Sequence, residues 1–85
     1  MPTPRDNDLL YKKLRWQARR GMLELDLVLG KFLQQDLSSL SDDDVEVLKR
    51  ILKEPDRILY NWIYKIEPIS KSEYEKIIGL MQAQV

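Results

Sequence analysis

The stretch Gly21-Met22-Leu23-Glu24-Leu25-Asp26-Leu27-Val28-Leu29-Gly30-Lys31-Phe32-Leu33-Gln34-Gln35-Asp36-Leu37, GMLELDLVLGKFLQQDL, decides the fold class. Leu25, Leu29, Phe32 and Leu33 recur with helical period, and Met22 and Val28 widen the stripe. A helix apolar around so much of its circumference is expected at the centre of a bundle, packed from more than one side. Gly30 lies inside it. Glycine there costs about 1 kcal/mol against alanine, so its presence predicts a neighbour in close contact.

Helical spacing continues on both sides. Over residues 8–19, Leu10, Leu14 and Ala18 recur at i+4 with Tyr11 beside them, while Lys12, Lys13, Arg15 and Arg19 lie mostly on other faces. C-terminal to the central segment, Ser41 with Asp44 forms a capping-box pattern, and Leu40 with Val45 occupies staple positions. Asp42 and Asp43 add negative charge at the positive end of the helix dipole. Val45, Leu48, Ile51 and Leu52 supply that helix's buried face. Pro55 interrupts, and Asp56 is expected to cap a short fourth helix through Ile58, Leu59, Trp62 and Ile63. After Pro68, Ser70 with Glu73 and Ile69 with Tyr74 repeat the box and the staple. A fifth helix should follow, turning Tyr74, Ile77, Ile78 and Met81 inward. No strand alternation or internal repeat appears. The expectation is an all-α fold, a compact bundle of five short helices, with a single helical domain at 8–85 behind a flexible tail at 1–7.

Composition narrows the chemistry. With 85 residues the chain makes one small domain, which buries only about 60–65% of its unfolded surface and leaves no room for a deep pocket. It contains no cysteine and no histidine. Thiolate nucleophiles and thiolate metal sites are therefore excluded, along with the commonest general base and metal ligand. No apolar run approaches the roughly 20 residues that span a bilayer, and MPTPRDND has no secretory core. Direct membrane insertion is not expected. The absence of cysteine is compatible with a reducing cytosol.

The net charge is zero but unevenly placed. Residues 1–20 hold six cations and two acids, 21–46 one cation and seven acids, and 47–85 seven cations and five acids. Such a dipolar layout can steer a partner protein. Ordinary solvated helix faces would give it too.

Candidate catalytic groups read better as structure. Asp42-Asp43-Asp44 lacks the alternating ligands and glycine of a calcium loop, and capping accounts for it. Tyr11, Tyr60, Tyr64 and Tyr74 have ordinary pKa values near about 10, poorly matched to neutral acid–base work. Trp62 sits at core spacing. Trp16 lies among Lys12, Lys13, Arg15, Arg19 and Arg20, a composition that can touch nucleic acid. Zero net charge and the acidic helix that follows would repel a polyanion, so nucleic acid is not an expected partner. No catalytic residue and no metal site is assigned.

One stretch stands apart: Arg19-Arg20-Gly21-Met22-Leu23-Glu24-Leu25-Asp26, RRGMLELD. Gly21 is expected to separate the first two helices, because it adopts backbone angles that alanine does not and lets another backbone come close. Arg20 and Glu24 are four apart and can pair on one helical face. An exposed pair of this kind contributes only about 0–1 kcal/mol. The pattern alone leaves open a bend with an incidental ion pair or a docking surface.

In these residues the sequence resembles the succinate dehydrogenase flavinylation and assembly factors. Their R-G-x-x-E motif stands here as Arg20-Gly21-Met22-Leu23-Glu24, with Trp16 just upstream. Ser39-Leu40-Ser41-Asp42-Asp43 and Leu59-Tyr60-Asn61-Trp62 extend the likeness over roughly residues 9–81. Family members often carry a further acid just before the leucine of the fourth helix. Here Ile58 occupies that position, with Asp56 the nearby acid.

The resemblance implies a five-helix assembly factor, not an enzyme. It would bind the flavoprotein subunit of succinate dehydrogenase, or of fumarate reductase, and promote covalent FAD attachment to a histidine of that subunit. It also implies a partner-binding site at Trp16, Arg19, Arg20, Gly21, Glu24 and Asp26. FAD would belong to the partner, with no cofactor held tightly by this chain. The chain is expected to be a monomer, having no long heptad seam. A regulatory interaction module of antitoxin-like type is the alternative.

Overall fold

The computed structural model describes residues 7–18 and 21–85. Five α-helices run through them: α1 (Asn7–Gln17), α2 (Leu23–Asp36), α3 (Asp42–Ile51), α4 (Asp56–Ile63) and α5 (Glu75–Gln82). Single 3-10 turns at Leu37–Ser39 and Ser72–Tyr74 follow α2 and lead into α5. No strand is present among the described residues.

The centre is α2, which packs against α1, α4 and α5. Leu25, Val28, Leu29, Phe32 and Leu33 are buried along it. Leu14 and Ala18 of the α1 segment and Leu48 and Ile51 of α3 meet the same core, as do Leu59, Trp62 and Ile63 of α4 and Ile77, Ile78 and Met81 of α5. The inward face of every helix thus follows the apolar period of its sequence. Aromatic contacts close the α4 side. Trp62 meets Tyr74 edge-on at 5.9 Å between ring centroids, and Tyr60 stacks on Tyr64 at 4.6 Å. The Gln82 side-chain amide donates to the Trp62 carbonyl at 3.0 Å.

Gly30 meets the expected close neighbour. A Cβ built there would lie 3.0 Å from the Arg15 guanidinium carbon. The cationic head of α1 therefore rests on the one point of α2 that has no side chain.

Helix starts divide into expected and corrected. Ser41 caps α3 with a full capping box: its hydroxyl accepts from the Asp44 N–H at 3.1 Å, and the Asp44 carboxylate accepts from the Ser41 N–H at 3.4 Å. Asp56 is not the cap of α4. It is the first helical residue, and Pro55 takes the cap position with extended backbone, φ −60 and ψ 152. Proline's ring fixes that φ, and its missing N–H leaves no donor stranded there. Nor does Ser70 cap α5. The chain enters through the Ser72–Tyr74 turn from Lys71, with no side-chain cap bond.

Two ion pairs tie the α5 end to α3. Lys76 reaches Asp44 at 2.9 Å, and Lys71 reaches Glu54 at 3.1 Å. The Lys76 hydrogen bond chiefly holds the Asp44 carboxyl below the ordinary carboxylate range, with the Ser41 bonds adding to it. A depressed carboxylate pKa contributes stability that is present above the unfolded value and lost as pH falls through the folded one. Lys76→Ala should therefore lower Tm slightly at neutral pH, where the exposed pair contributes fully, and make the acid limb of a Tm-versus-pH profile shallower as the two proteins converge at low pH. An unchanged acid limb would show that the pair does not form in solution.

Candidate functional site

Gly21 ends the α1 segment and opens α2 with φ +73. That left-handed angle costs an L-residue about 1–2 kcal/mol and glycine nothing comparable. The close approach foreseen for Gly21 is not made among the described residues, where a Cβ built there would meet nothing within 4 Å. Torsion accounts for the glycine locally, and its outer side faces open space.

The first turn of α2 carries Glu24 and Asp26. Glu24 is exposed. Asp26 is half-buried, its N–H donating to the Met22 carbonyl at 2.9 Å. Leu23 and Leu27, four apart and so on one face, stay 69% and 57% exposed. The helix is packed from more than one side, as expected, but not all round. One face packs in the core. Another, built from Leu23, Glu24 and Leu27, is left open.

Beside it lies a shallow depression of about 630 Å³ lined by Met22, Asp56, Arg57, Tyr60, Asn61 and Ile66. It brings the motif's Met22 next to α4, whose Tyr60 and Asn61 belong to the third stretch of resemblance. Asp56 is thus the α4 acid beside the motif. Ile58 lines a different hollow, with Glu54 and Trp62. Ile66 reaches the depression through the end of α4. Lys65 takes φ 63, its N–H donates to the Trp62 carbonyl at 3.2 Å, and the Ile66 N–H donates to the Asn61 carbonyl at 2.7 Å. This is a Schellman ending with lysine where glycine is usual.

Of the residues expected at the site, Gly21, Glu24 and Asp26 surround the start of α2. Arg19 and Arg20 lie outside the described residues, and with them the expected Arg20–Glu24 pair. Trp16 is 74% exposed on α1 and lines a separate depression shared with the end of α3. Sequence reasoning did not single out Leu23, Leu27 or Ile66. The available signal was that Leu23 and Leu27 fall off the Leu25–Leu29–Phe32–Leu33 stripe. Among the described residues no group of three or more histidine, cysteine or acidic side chains is placed to hold a metal. Nor, among the described residues, is any helix long and apolar enough to cross a membrane.

Fold and surface together define a small all-helical protein whose distinctive chemistry lies on its exterior. Comparison with known proteins makes the class specific. The family model described as flavinator of succinate dehydrogenase matches residues 12–85. The FAD assembly factor SdhE of Coxiella burnetii is 40% identical over 74 residues, covering 87% of this chain and 90% of that protein. Those of Haemophilus influenzae and Pectobacterium atrosepticum are 35% and 32% identical, each over 85% of this chain and over 87% and 82% of their own length. No solved structure matches the chain. The chain belongs to the succinate dehydrogenase flavinator family. It is an assembly factor that promotes FAD attachment in a partner, not an oxidoreductase in its own right.

Proposed function

We propose that the chain docks on the flavoprotein subunit of succinate dehydrogenase through the face around Gly21. Gly21, Glu24 and Asp26 form its polar part and Leu23 and Leu27 its apolar part, with Arg19 and Arg20 its cations by sequence position, while Trp16 lies outside it on a separate depression. The observation that carries this reading is the open Leu23–Glu24–Leu27 face directly after a left-handed glycine. Exposed leucines beside an exposed carboxylate offer a partner both apolar burial and a charge-assisted hydrogen bond. The open side of Gly21 lets the partner's backbone come close.

Docking selects the conformation of the immature subunit in which FAD and its acceptor histidine are aligned. The bond then forms within the partner by the flavin's own chemistry. FAD is the partner's cofactor, and this chain holds none tightly. Glu24 and Asp26 in the first turn of α2 oppose a pyrophosphate at the helix end that Gly21 precedes. The related fumarate reductase subunit is a second client. The factor works as a soluble monomer in the bacterial cytoplasm, without inserting in a membrane or binding nucleic acid.

Glu24→Ala tests the reading. A lost hydrogen bond to a charged group is worth about 1.5–3 kcal/mol, so client affinity should fall roughly tenfold or more. Covalent flavin on the client, read by in-gel fluorescence at limiting factor, should fall with it while Tm stays put. Full flavinylation by Glu24→Ala at limiting factor would remove Glu24 from the docking surface.

A further inference from the structure

A second surface is not needed by that face. Between α1 and the end of α3 lies a groove of about 560 Å³ lined by Lys13, Trp16, Gln17, Lys49, Leu52 and Lys53. Leu52 is buried and forms its floor, while the Trp16 ring stands exposed at its edge. Lys13 of α1, Lys49 of α3 and Lys53 of the turn after it converge on it, and among the described residues no carboxylate lines it. Of these three lysines only Lys49 has an ion-pair partner among the described residues, Glu46 at 3.4 Å, one turn away on its own helix. Lysines at the end of α3 complement that helix's dipole. Lys13 has no such reason, because it comes from within α1.

We propose that this groove takes an acidic segment of the flavoprotein client, its carboxylates meeting Lys13, Lys49 and Lys53 and its apolar atoms resting on Trp16 and Leu52. The proposal rests on the docking function above and adds a second contact to it. Charge complementarity identifies the occupant: a locally basic, aromatic-edged groove on a chain of zero net charge. Its size suits a few residues, in the range of about 300–1,000 Å³ that small ligands fill. Nucleic acid fits less well. A long polyanion would run on from the groove past Asp42, Asp43 and Glu46, all exposed on α3. Two separate contacts on one client also explain how a small factor holds it in a single orientation.

The test is binding of the purified apo-flavoprotein subunit to the wild-type chain and to Lys13→Glu/Lys53→Glu, across a salt series. Lys12→Glu/Lys31→Glu carries the same charge change on residues outside the groove. The groove variant should bind at least about tenfold more weakly at low salt and lose most of its salt dependence, whereas the control should change by less than about threefold. In a Trp62→Phe background, Trp16 emission should shift to the blue when the wild-type groove binds the client, and not in the groove variant. If the wild type binds the client and the groove variant matches it, the groove assignment is wrong and the docking function stands. If the wild type fails to bind the client at all, the docking function itself fails. A single-stranded oligonucleotide held through Lys13 and Lys53, with client binding unchanged, would make the occupant nucleic acid and overturn the proposal.

Discussion

Phe32→Ala should lower the unfolding free energy by about 3–5 kcal/mol, the cost of emptying a fully buried aromatic site. Phe32 has no exposed surface and lies in α2, which packs against α1, α4 and α5. A domain of this size holds only roughly 4–13 kcal/mol in total, at about 0.05–0.15 kcal/mol per residue. The variant should therefore unfold at a much lower urea midpoint and be partly unfolded at growth temperature. Leu27→Ala, five residues earlier on the same helix, is the contrast. It removes a side chain that is 57% exposed and should change stability by less than about 0.5 kcal/mol. A Leu27→Ala loss as large as that of Phe32→Ala would mean that the open face of α2 is covered in solution, and the docking assignment would fall.

The difference between those two residues marks where the sequence was informative. Period and caps placed the five helices because each repeats a local rule. Leu14 and Ala18 face inward at i+4, and Ser41 with Asp44 makes the capping box. Asp56 and Ser70 failed as caps because Pro55 and the Ser72 turn supplied competing starts. Lys65 gave no signal at all, since its left-handed angle is imposed by the chain's return after α4 and not by residue type. The site was half legible. Gly21 and Glu24 stood out by motif, but the depression joining Met22 to Asp56, Tyr60 and Asn61 depends on how α4 meets the start of α2. No local pattern encodes that meeting. Leu23 and Leu27 count as hydrophobic in any periodicity, and only packing reveals that nothing in the described chain covers them.

Gly21 gives the sharpest functional separation, because its two possible roles respond differently to substitution. Any L-residue pays the torsional cost of φ +73, about 1–2 kcal/mol. At about 4–8 °C per kcal/mol for a domain of this size, Gly21→Ala and Gly21→Arg should lower Tm by similar amounts. Neither should clash internally, since the Cβ position is open among the described residues. If glycine serves torsion alone, the two variants should also flavinylate the client equally, each reduced only as far as it is unfolded. If the partner's backbone closes on Gly21, a methyl group should be partly tolerated and a guanidinium arm should not. Gly21→Arg should then abolish covalent flavin on the client at a temperature where both variants are folded. Gly21→Asn, which tolerates the left-handed region better, should recover part of the Tm without recovering full activity. That split between stability and flavinylation is the expected result. Equal flavinylation by the folded alanine and arginine variants would confine Gly21 to a bend and move the docking surface elsewhere.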